Sequence, residues 1–161
     1  MFVHNKKNRY NLLMKKYSKI AIFLVTLFII GGCTKEPINN DVEGFWILRE
    51  FTTIENGKTT KCNRLYYSIT RMVTEISEKQ GNNNYGSYIG KTEYGDEEKQ
   101  LILTDFKIRQ STSDSGMDAP VEKLRKFGIN NQEITIFNII FCNGKKMTLQ
   151  SNYATLELER F

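Results

Sequence analysis

The side chains that most often carry out nucleophilic and acid–base chemistry are sparse in this sequence. Its one histidine is His4, so the residues after it can form neither a Ser-His-Asp or Cys-His system nor a histidine metal site. Three carboxylates in or beside predicted strands, Glu75, Asp105 and Glu133, include a candidate glycosidase-like pair. Solvated strand edges explain these charges more simply. We therefore predict that the protein is not an enzyme and that it uses no metal or cofactor.

Cys62 and Cys142 are the two thiols beyond the N-terminal segment. Outside the cytoplasm such a pair is a candidate disulfide, and closing so long a loop would contribute about 4 kcal/mol in the chain-entropy model. The alternative is two free thiols, each packed as a small apolar residue. The sequence leaves both interpretations open.

The positive charge of the chain is confined to its N-terminal segment. The formal net charge is +5, yet residues 33–161 hold 17 basic and 18 acidic side chains. Nucleic-acid binding usually requires a concentrated basic patch, whereas the basic residues here alternate along the sequence with Asp and Glu. We therefore expect no nucleic-acid partner.

Residues 20–30 form an apolar run behind a lysine-rich stretch. Such a run makes about 16 Å of helix, roughly half of a bilayer core, so it indicates a secretory signal and not a permanent membrane span. The run leads into Ile30-Gly31-Gly32-Cys33, which resembles the lipobox of bacterial lipoproteins. The resemblance implies cleavage between Gly32 and Cys33 and acylation of the Cys33 thiol.

This resemblance divides the chain into three parts. They are a signal peptide over 1–32, a lipidated cysteine and flexible tether over 33–41, and a domain over 42–161. The second part has the polar, proline-containing composition of a tether. We expect the acyl chains on Cys33 to anchor the protein in the cell envelope. The expected membrane is the outer membrane, on either its periplasmic or its surface face.

The domain has the sequence pattern of a small all-β protein. Turn residues separate short runs rich in aromatic and β-branched residues, and Asn56-Gly57 and Asn143-Gly144 predict tight two-residue hairpins. About eight strands and one short helix are expected, closed as an antiparallel up-and-down barrel without exposed edges. Seven of the expected strands can be given ranges: Phe45–Ile54, Leu65–Ser77, Ser87–Tyr94, Gln100–Arg109, Glu133–Cys142, Lys145–Ser151 and Ala154–Phe161.

One helix is predicted over Ala119–Phe127, after a polar loop over Gln110–Asp118. Asp118 is the expected N-cap, Pro120 suits the first turn, and Gly128 can end the helix.

Gly44-Phe45-Trp46 resembles the Gly-x-Trp opening of lipocalins. That family places an arginine late in its last strand, packed against the tryptophan. The last strand here alternates so that Arg160 shares a face with apolar residues, and the resemblance implies that Arg160 stacks over Trp46. A solvent-facing Arg160 is the alternative. Over Gly44–Phe161 the chain is similar to the lipocalin-like domains of Gram-negative envelope lipoproteins.

An eight-stranded barrel can be filled by side chains or can hold one small ligand. The many aromatic residues of the domain suit a filled core and also a cavity lining, whereas Tyr85, in a predicted loop, suits contact with a partner. We expect a lipid-anchored lipoprotein whose barrel binds or carries a small apolar ligand. The alternative is a filled barrel that acts as a protein-interaction or accessory module, with protein partners that the sequence does not identify.

Overall fold

The computed structural model describes residues 37–161, in which nine strands form one sheet. Except for the sixth, each strand pairs antiparallel with the next one along the chain, and the last returns to pair with the first. Eight strands thereby close into an up-and-down barrel, which confirms the predicted fold. The strands are β1 (Gly44–Thr53), β2 (Thr59–Ile69), β3 (Val73–Glu78), β4 (Ser87–Gly95), β5 (Gln100–Arg109), β6 (Asp114–Asp118), β7 (Ile134–Cys142), β8 (Lys146–Gln150) and β9 (Ala154–Arg160).

The short strand β6 lies outside the closed ring and pairs with β5. The prediction of a polar loop over Gln110–Asp118 is therefore wrong for its second half. β5 pairs with β7 only as far as Thr104, and its later backbone groups need other partners. β6 pairs with these groups at Lys107 and Arg109.

The predicted strand Leu65–Ser77 is in fact two strands joined by a turn. The Thr70 amide and hydroxyl both donate to the Val73 carbonyl, at 2.9 and 2.7 Å. Buried positions change phase across this turn, from the odd numbers of Leu65–Ile69 to the even numbers of Thr74 and Ile76. Because side chains in a strand alternate with a period of two, this phase change is the sequence signal of the turn.

The prediction of a two-residue turn at Asn56-Gly57 is wrong. The Thr53 amide donates to the Lys58 carbonyl at 3.0 Å, which leaves a four-residue loop over 54–57. The Gly57 amide also donates to the Thr53 carbonyl at 3.0 Å, so the chain makes one wider, helix-like turn before β2 begins. Gly57 has a φ of 62°, which a residue without a Cβ adopts at little cost.

The described range contains one short α-helix, α1 (Val121–Leu124), which continues into a 3-10 turn over Arg125–Phe127 and lies between β6 and β7. It begins two residues later than the predicted Ala119–Phe127, and its second half is the tighter type of helix. Within residues 37–161 no helix is long and apolar enough to cross a membrane.

Asp118 is not the N-cap of α1, contrary to prediction. Pro120 occupies that position, and no side chain of the described part of the protein caps the helix. The Asp118 carboxylate instead accepts a hydrogen bond from Lys107 Nζ at 2.5 Å, across the β5–β6 pair. Gly128 ends the helical segment as predicted, in a left-handed conformation with a φ of 81°.

Apolar side chains fill the inside of the barrel. Trp46, Phe106 and Phe137 are fully buried there, and Leu124 and Phe127 reach the same core from the helical segment. The closed sheet and its core both lie within residues 42–160. Residues 37–161 also form one compact unit, so we expect this part of the chain to fold by itself.

Candidate functional site

An open cleft lies at the barrel end where β1 finishes and β2 begins, and we call it the end cleft. Its volume is about 620 Å³, within the usual range of small-ligand pockets. Four stretches of chain supply its walls: the β1–β2 hairpin, the β3–β4 loop, the 3-10 turn and the β8–β9 turn. Its apolar lining consists of Phe51, Leu65, Tyr85 and Tyr153.

Tyr85, which the sequence singles out as a contact residue, forms one wall of the end cleft. Its amide donates to Glu78 Oε2 at 2.9 Å, and its carbonyl accepts from the Tyr88 hydroxyl at 2.7 Å. The neighbouring Asn84 carbonyl accepts from Lys123 Nζ of α1 at 3.0 Å. The wall is thus held from β3, from β4 and from the helix.

Glu78 is the main support of the β3–β4 loop. Its Oε1 accepts from the Asn83 amide at 3.1 Å and from Asn83 Nδ2 at 2.7 Å, in addition to the bond from Tyr85. Desolvation of the Glu78 carboxylate raises its pKa, but these hydrogen bonds outweigh that effect, and the pKa lies below its ordinary value. The charged carboxylate therefore stabilises the loop that carries Tyr85.

The helical segment closes the barrel at this end. The Tyr67 hydroxyl, buried in the core, donates to the Phe127 carbonyl at 2.6 Å, and the Tyr88 and Phe127 rings meet edge to face with centroids 6.1 Å apart. Burial raises the pKa of Tyr67 well above its ordinary value. The end cleft consequently lies over a plugged barrel and does not lead into an open calyx.

Four cationic side chains border the end cleft: Lys58, Lys61, Arg125 and Lys126. Sequence reasoning missed them as a group because the hairpin pair and the helical pair lie far apart along the chain. Lys126 Nζ lies 5.9 Å from the centroid of the Tyr85 ring, and Arg125 Nε donates to Asn130 Oδ1 at 2.8 Å. Only the folded barrel brings these charges together.

Cys62 and Cys142 are free thiols, so the candidate disulfide between them is wrong. They lie on β2 and β7, which are not neighbours in the barrel. Cys62 Sγ lies 3.7 Å from the Thr60 carbonyl in the end cleft, whereas Cys142 Sγ lies 3.2 Å from the Asp41 carbonyl. Burial, and next the charge of Glu50, raise the pKa of Cys62 to about 11.

Trp46 and Arg160 meet at the other end of β1, where the sequence places them. Arg160 Cζ lies 5.1 Å from the centroid of the Trp46 ring, and its guanidinium donates to the carbonyls of Glu43 and Gly144. Trp46 Nε1 donates to the Val42 carbonyl at 2.7 Å. The contact therefore ties the segment before β1 to the last strand.

The three carboxylates first considered for chemistry lie in different settings. Glu75 pairs with Arg109 at 3.0 Å, and Asp105 pairs with Lys107 and Lys91 at 2.9 and 3.2 Å. Hydrogen bonds from these two ammonium groups hold the pKa of Asp105 below its usual value. Glu133 is exposed beside β7. Among residues 37–161, no group of three or more His, Cys, Asp or Glu side chains is placed to hold a metal ion.

Gly32 and Cys33, the predicted cleavage and lipid-attachment residues, lie outside the described residues. Of the predicted tether over 33–41, the described part contacts the barrel end that carries Trp46. The amides of Ile38 and Asn39 donate to Glu43 Oε1 at 2.6 and 3.2 Å.

The fold is a closed antiparallel barrel, and Trp46 of the first strand meets Arg160 of the last strand at one end of it. These features define a class of small β-barrel proteins. Residues 26–161 match the family model of the lipocalin-like domain, so the chain belongs to that family. No curated protein matches the chain.

Two solved structures share the fold. The first is a lipocalin-like protein from Bacteroides uniformis ATCC 8492, with a TM-score of 0.55 and 13% identity, covering 75% of this chain and 99% of its own. The second is an uncharacterized protein from Bacteroides eggerthii DSM 20697, with a TM-score of 0.55 and 18% identity, covering 74% of this chain and 98% of its own. At these identities the similarity concerns the fold alone.

Proposed function

We propose that this chain is a lipid-anchored lipoprotein of the cell envelope, in the outer membrane, whose lipocalin-like barrel binds a small ligand in the end cleft. The observation that carries the proposal is the contrast between a filled barrel interior and an open end. Trp46, Phe106 and Phe137 occupy the centre of the barrel, whereas the end cleft leaves about 620 Å³ beside Tyr85. The proposal assigns a binding role and no catalytic step.

The end cleft lies at the barrel end opposite the described part of the predicted tether. Residues 38–43 pack at the Trp46 end of β1, and the end cleft lies at the Thr53 end. Residues 38–43 therefore leave the end cleft open to a ligand.

The anchor is tested by metabolic labelling with a clickable palmitate analogue in a Gram-negative host. The wild-type chain is expected to incorporate the label and to sediment with membranes. Cys33→Ser should do neither, and Cys62→Ser should behave as the wild type. An unlabelled wild-type chain in the soluble periplasmic fraction would contradict the anchor.

Ligand binding is tested by native mass spectrometry on the chain from Thr34 to Phe161, exported to a periplasm and purified without detergent. We expect additional mass that dissociates as one discrete small molecule, either directly or after exposure to a lipid extract. A bare mass under both conditions would contradict the binding role.

A second candidate function is a protein-interaction module, favoured by exposed apolar side chains on β7. Ile134, Ile136, Ile140 and Phe141 are 44% to 57% exposed, and the exposed Asn138 lies between Ile136 and Ile140. Large exposed apolar patches mark interaction surfaces. Ile136→Lys combined with Ile140→Lys should abolish this interaction and leave ligand binding unchanged.

A further inference from the structure

Basic side chains cluster in the end cleft, although the domain as a whole has no excess of positive charge. Residues 33–161 carry 17 basic and 18 acidic side chains. Among the residues that the structure describes, however, the cleft lining includes four cationic side chains and no carboxylate. Glu50, which contributes to the raised pKa of Cys62, is not part of that lining. Clefts lined by one sign of charge raise the local concentration of ligands with the opposite sign.

The four cations of the end cleft have no carboxylate partner among residues 37–161. The ion pairs of this range join other residues, for example Arg49 to Glu159 and Arg109 to Glu75. Arg125 bonds a neutral amide, and Lys126 lies over an aromatic ring. An anion in the cleft would therefore not compete with an existing ion pair for these charges.

The inner surface of the same cleft is apolar. Phe51 and Leu65 are only 5% and 3% exposed, and the half-buried rings of Tyr85 and Tyr153 stand beside them. The cations, in contrast, are exposed at the rim. A ligand that contacts both the apolar inner surface and the cationic rim would have an apolar body and one negatively charged group.

We propose that the end cleft binds amphiphilic organic anions, which carry a carboxylate or phosphate head group on an alkyl or aryl body. This inference rests on the proposed ligand-binding function and specifies the ligand class. The apolar body packs against Phe51, Leu65 and Tyr85, and the head group lies among Lys58, Lys61 and Arg125. The site lies outside the plugged barrel interior.

The test compares two fluorescent probes that share one aromatic skeleton and differ in charge. Anilinonaphthalene sulfonate carries an anionic group that N-phenylnaphthylamine lacks. We expect the chain from Thr34 to Phe161 to bind the sulfonate about tenfold more tightly than the neutral probe, because several exposed cations each contribute a modest attraction. Added salt should weaken binding of the sulfonate probe and leave binding of the neutral probe unchanged.

Variants locate the binding and identify the head group. Lys61→Gln with Arg125→Gln should weaken sulfonate binding about tenfold and leave the neutral probe within about twofold. Lys99→Gln with Lys146→Gln, at exposed sites outside the cleft, should change neither. Laurate and dodecyl phosphate should displace the sulfonate, with their relative potency separating carboxylate from phosphate recognition, whereas dodecanol should not.

Three outcomes would overturn the inference. Equal affinity for both probes, or a sulfonate affinity that the cleft variants do not change, would leave ligand binding in place and remove anion recognition. Failure of a folded chain to bind either probe would contradict both the inference and the proposed binding function. Thermal unfolding of each variant verifies that the barrel is folded.

Discussion

Arg160 holds its guanidinium over the ring of Trp46, with Cζ 5.1 Å from the ring centroid, and also donates to the carbonyls of Glu43 and Gly144. One side chain from the last strand therefore binds the first strand, the segment before it and the β7–β8 turn. At an exposed site a cation–π contact contributes about 0.5–1 kcal/mol, and hydrogen bonds from a charged group add to it.

Arg160→Met is expected to lower the free energy of unfolding by about 1–2 kcal/mol. Arg160→Lys should lose most of the same amount, since an ammonium group cannot stack flat and donate to both carbonyls at once. Urea denaturation measures both. Arg49→Met is the control, because Arg49 forms an exposed ion pair with Glu159, and it should cost less than about 1 kcal/mol.

Gly44 has no room for a side chain beside Arg160. A Cβ at Gly44 would overlap the Arg160 guanidinium, and the backbone φ of 154° is unfavourable for residues with side chains. Gly44→Ala should therefore destabilise the barrel in the wild-type background and cost less in the Arg160→Ala background. Equal costs in the two backgrounds, measured by a double-mutant cycle, would contradict the contact.

Two buried tyrosine hydroxyls have opposite environments. The Tyr67 hydroxyl donates to the Phe127 carbonyl at 2.6 Å, whereas the buried Tyr94 hydroxyl has no hydrogen-bond partner within residues 37–161. Tyr67→Phe should lower the free energy of unfolding by about 1–3 kcal/mol, since it leaves a buried carbonyl without a donor. Tyr94→Phe should be neutral or slightly stabilising. Chemical denaturation of the two variants in parallel separates these expectations.

Both thiols of the barrel should be free in the folded protein. The chain from Thr34 to Phe161 contains only Cys62 and Cys142, so iodoacetamide in urea without reductant should add two labels, counted by intact mass. If the chain takes up no label until a reductant is added, the two thiols form a disulfide and the prediction is wrong.

The alkylation rate of Cys62 should depend on pH. In a folded Cys142→Ser variant the rate should rise up to about pH 11, because the pKa is raised from 9.0 to about 11, whereas the denatured chain should titrate near the ordinary value. The folded pKa is the higher one, so this thiol contributes stability below about pH 9 that is lost as the pH rises towards 11.

The closed barrel could be predicted from sequence because its signals are local. Ala154, Leu156 and Leu158 alternate with other residues in the sequence, which predicts the buried face of β9. All three side chains are buried in the structure. The turn at Thr70 was missed because the apolar pattern continues through it with only a change of phase. The wide loop at Asn56-Gly57 was missed because the hydrogen bonds of Thr53, and not the turn residues, set its length.

The end cleft depends on contacts between distant parts of the chain. The place of Tyr85 in a polar loop predicts a contact role for its side chain. No feature of the sequence predicts that Lys61 and Arg125 lie near each other. Their meeting depends on how the helical segment plugs the barrel, through contacts such as that of Tyr67 with Phe127. Such long-range packing leaves no periodic pattern to read.

Glu78 should control the shape of the end cleft without lining it, because it holds the amides of Asn83 and Tyr85. Glu78→Gln removes the charge that strengthens these bonds, so we expect weaker binding of anilinonaphthalene sulfonate and faster proteolysis within the β3–β4 loop. The pKa of Glu78 is lowered on folding, so its contribution to stability is present at neutral pH and is lost as the pH falls through the folded pKa. Glu93→Gln, an exposed position on β4, is the matched control. If both variants bind the probe equally well and resist protease equally, Glu78 does not position the cleft.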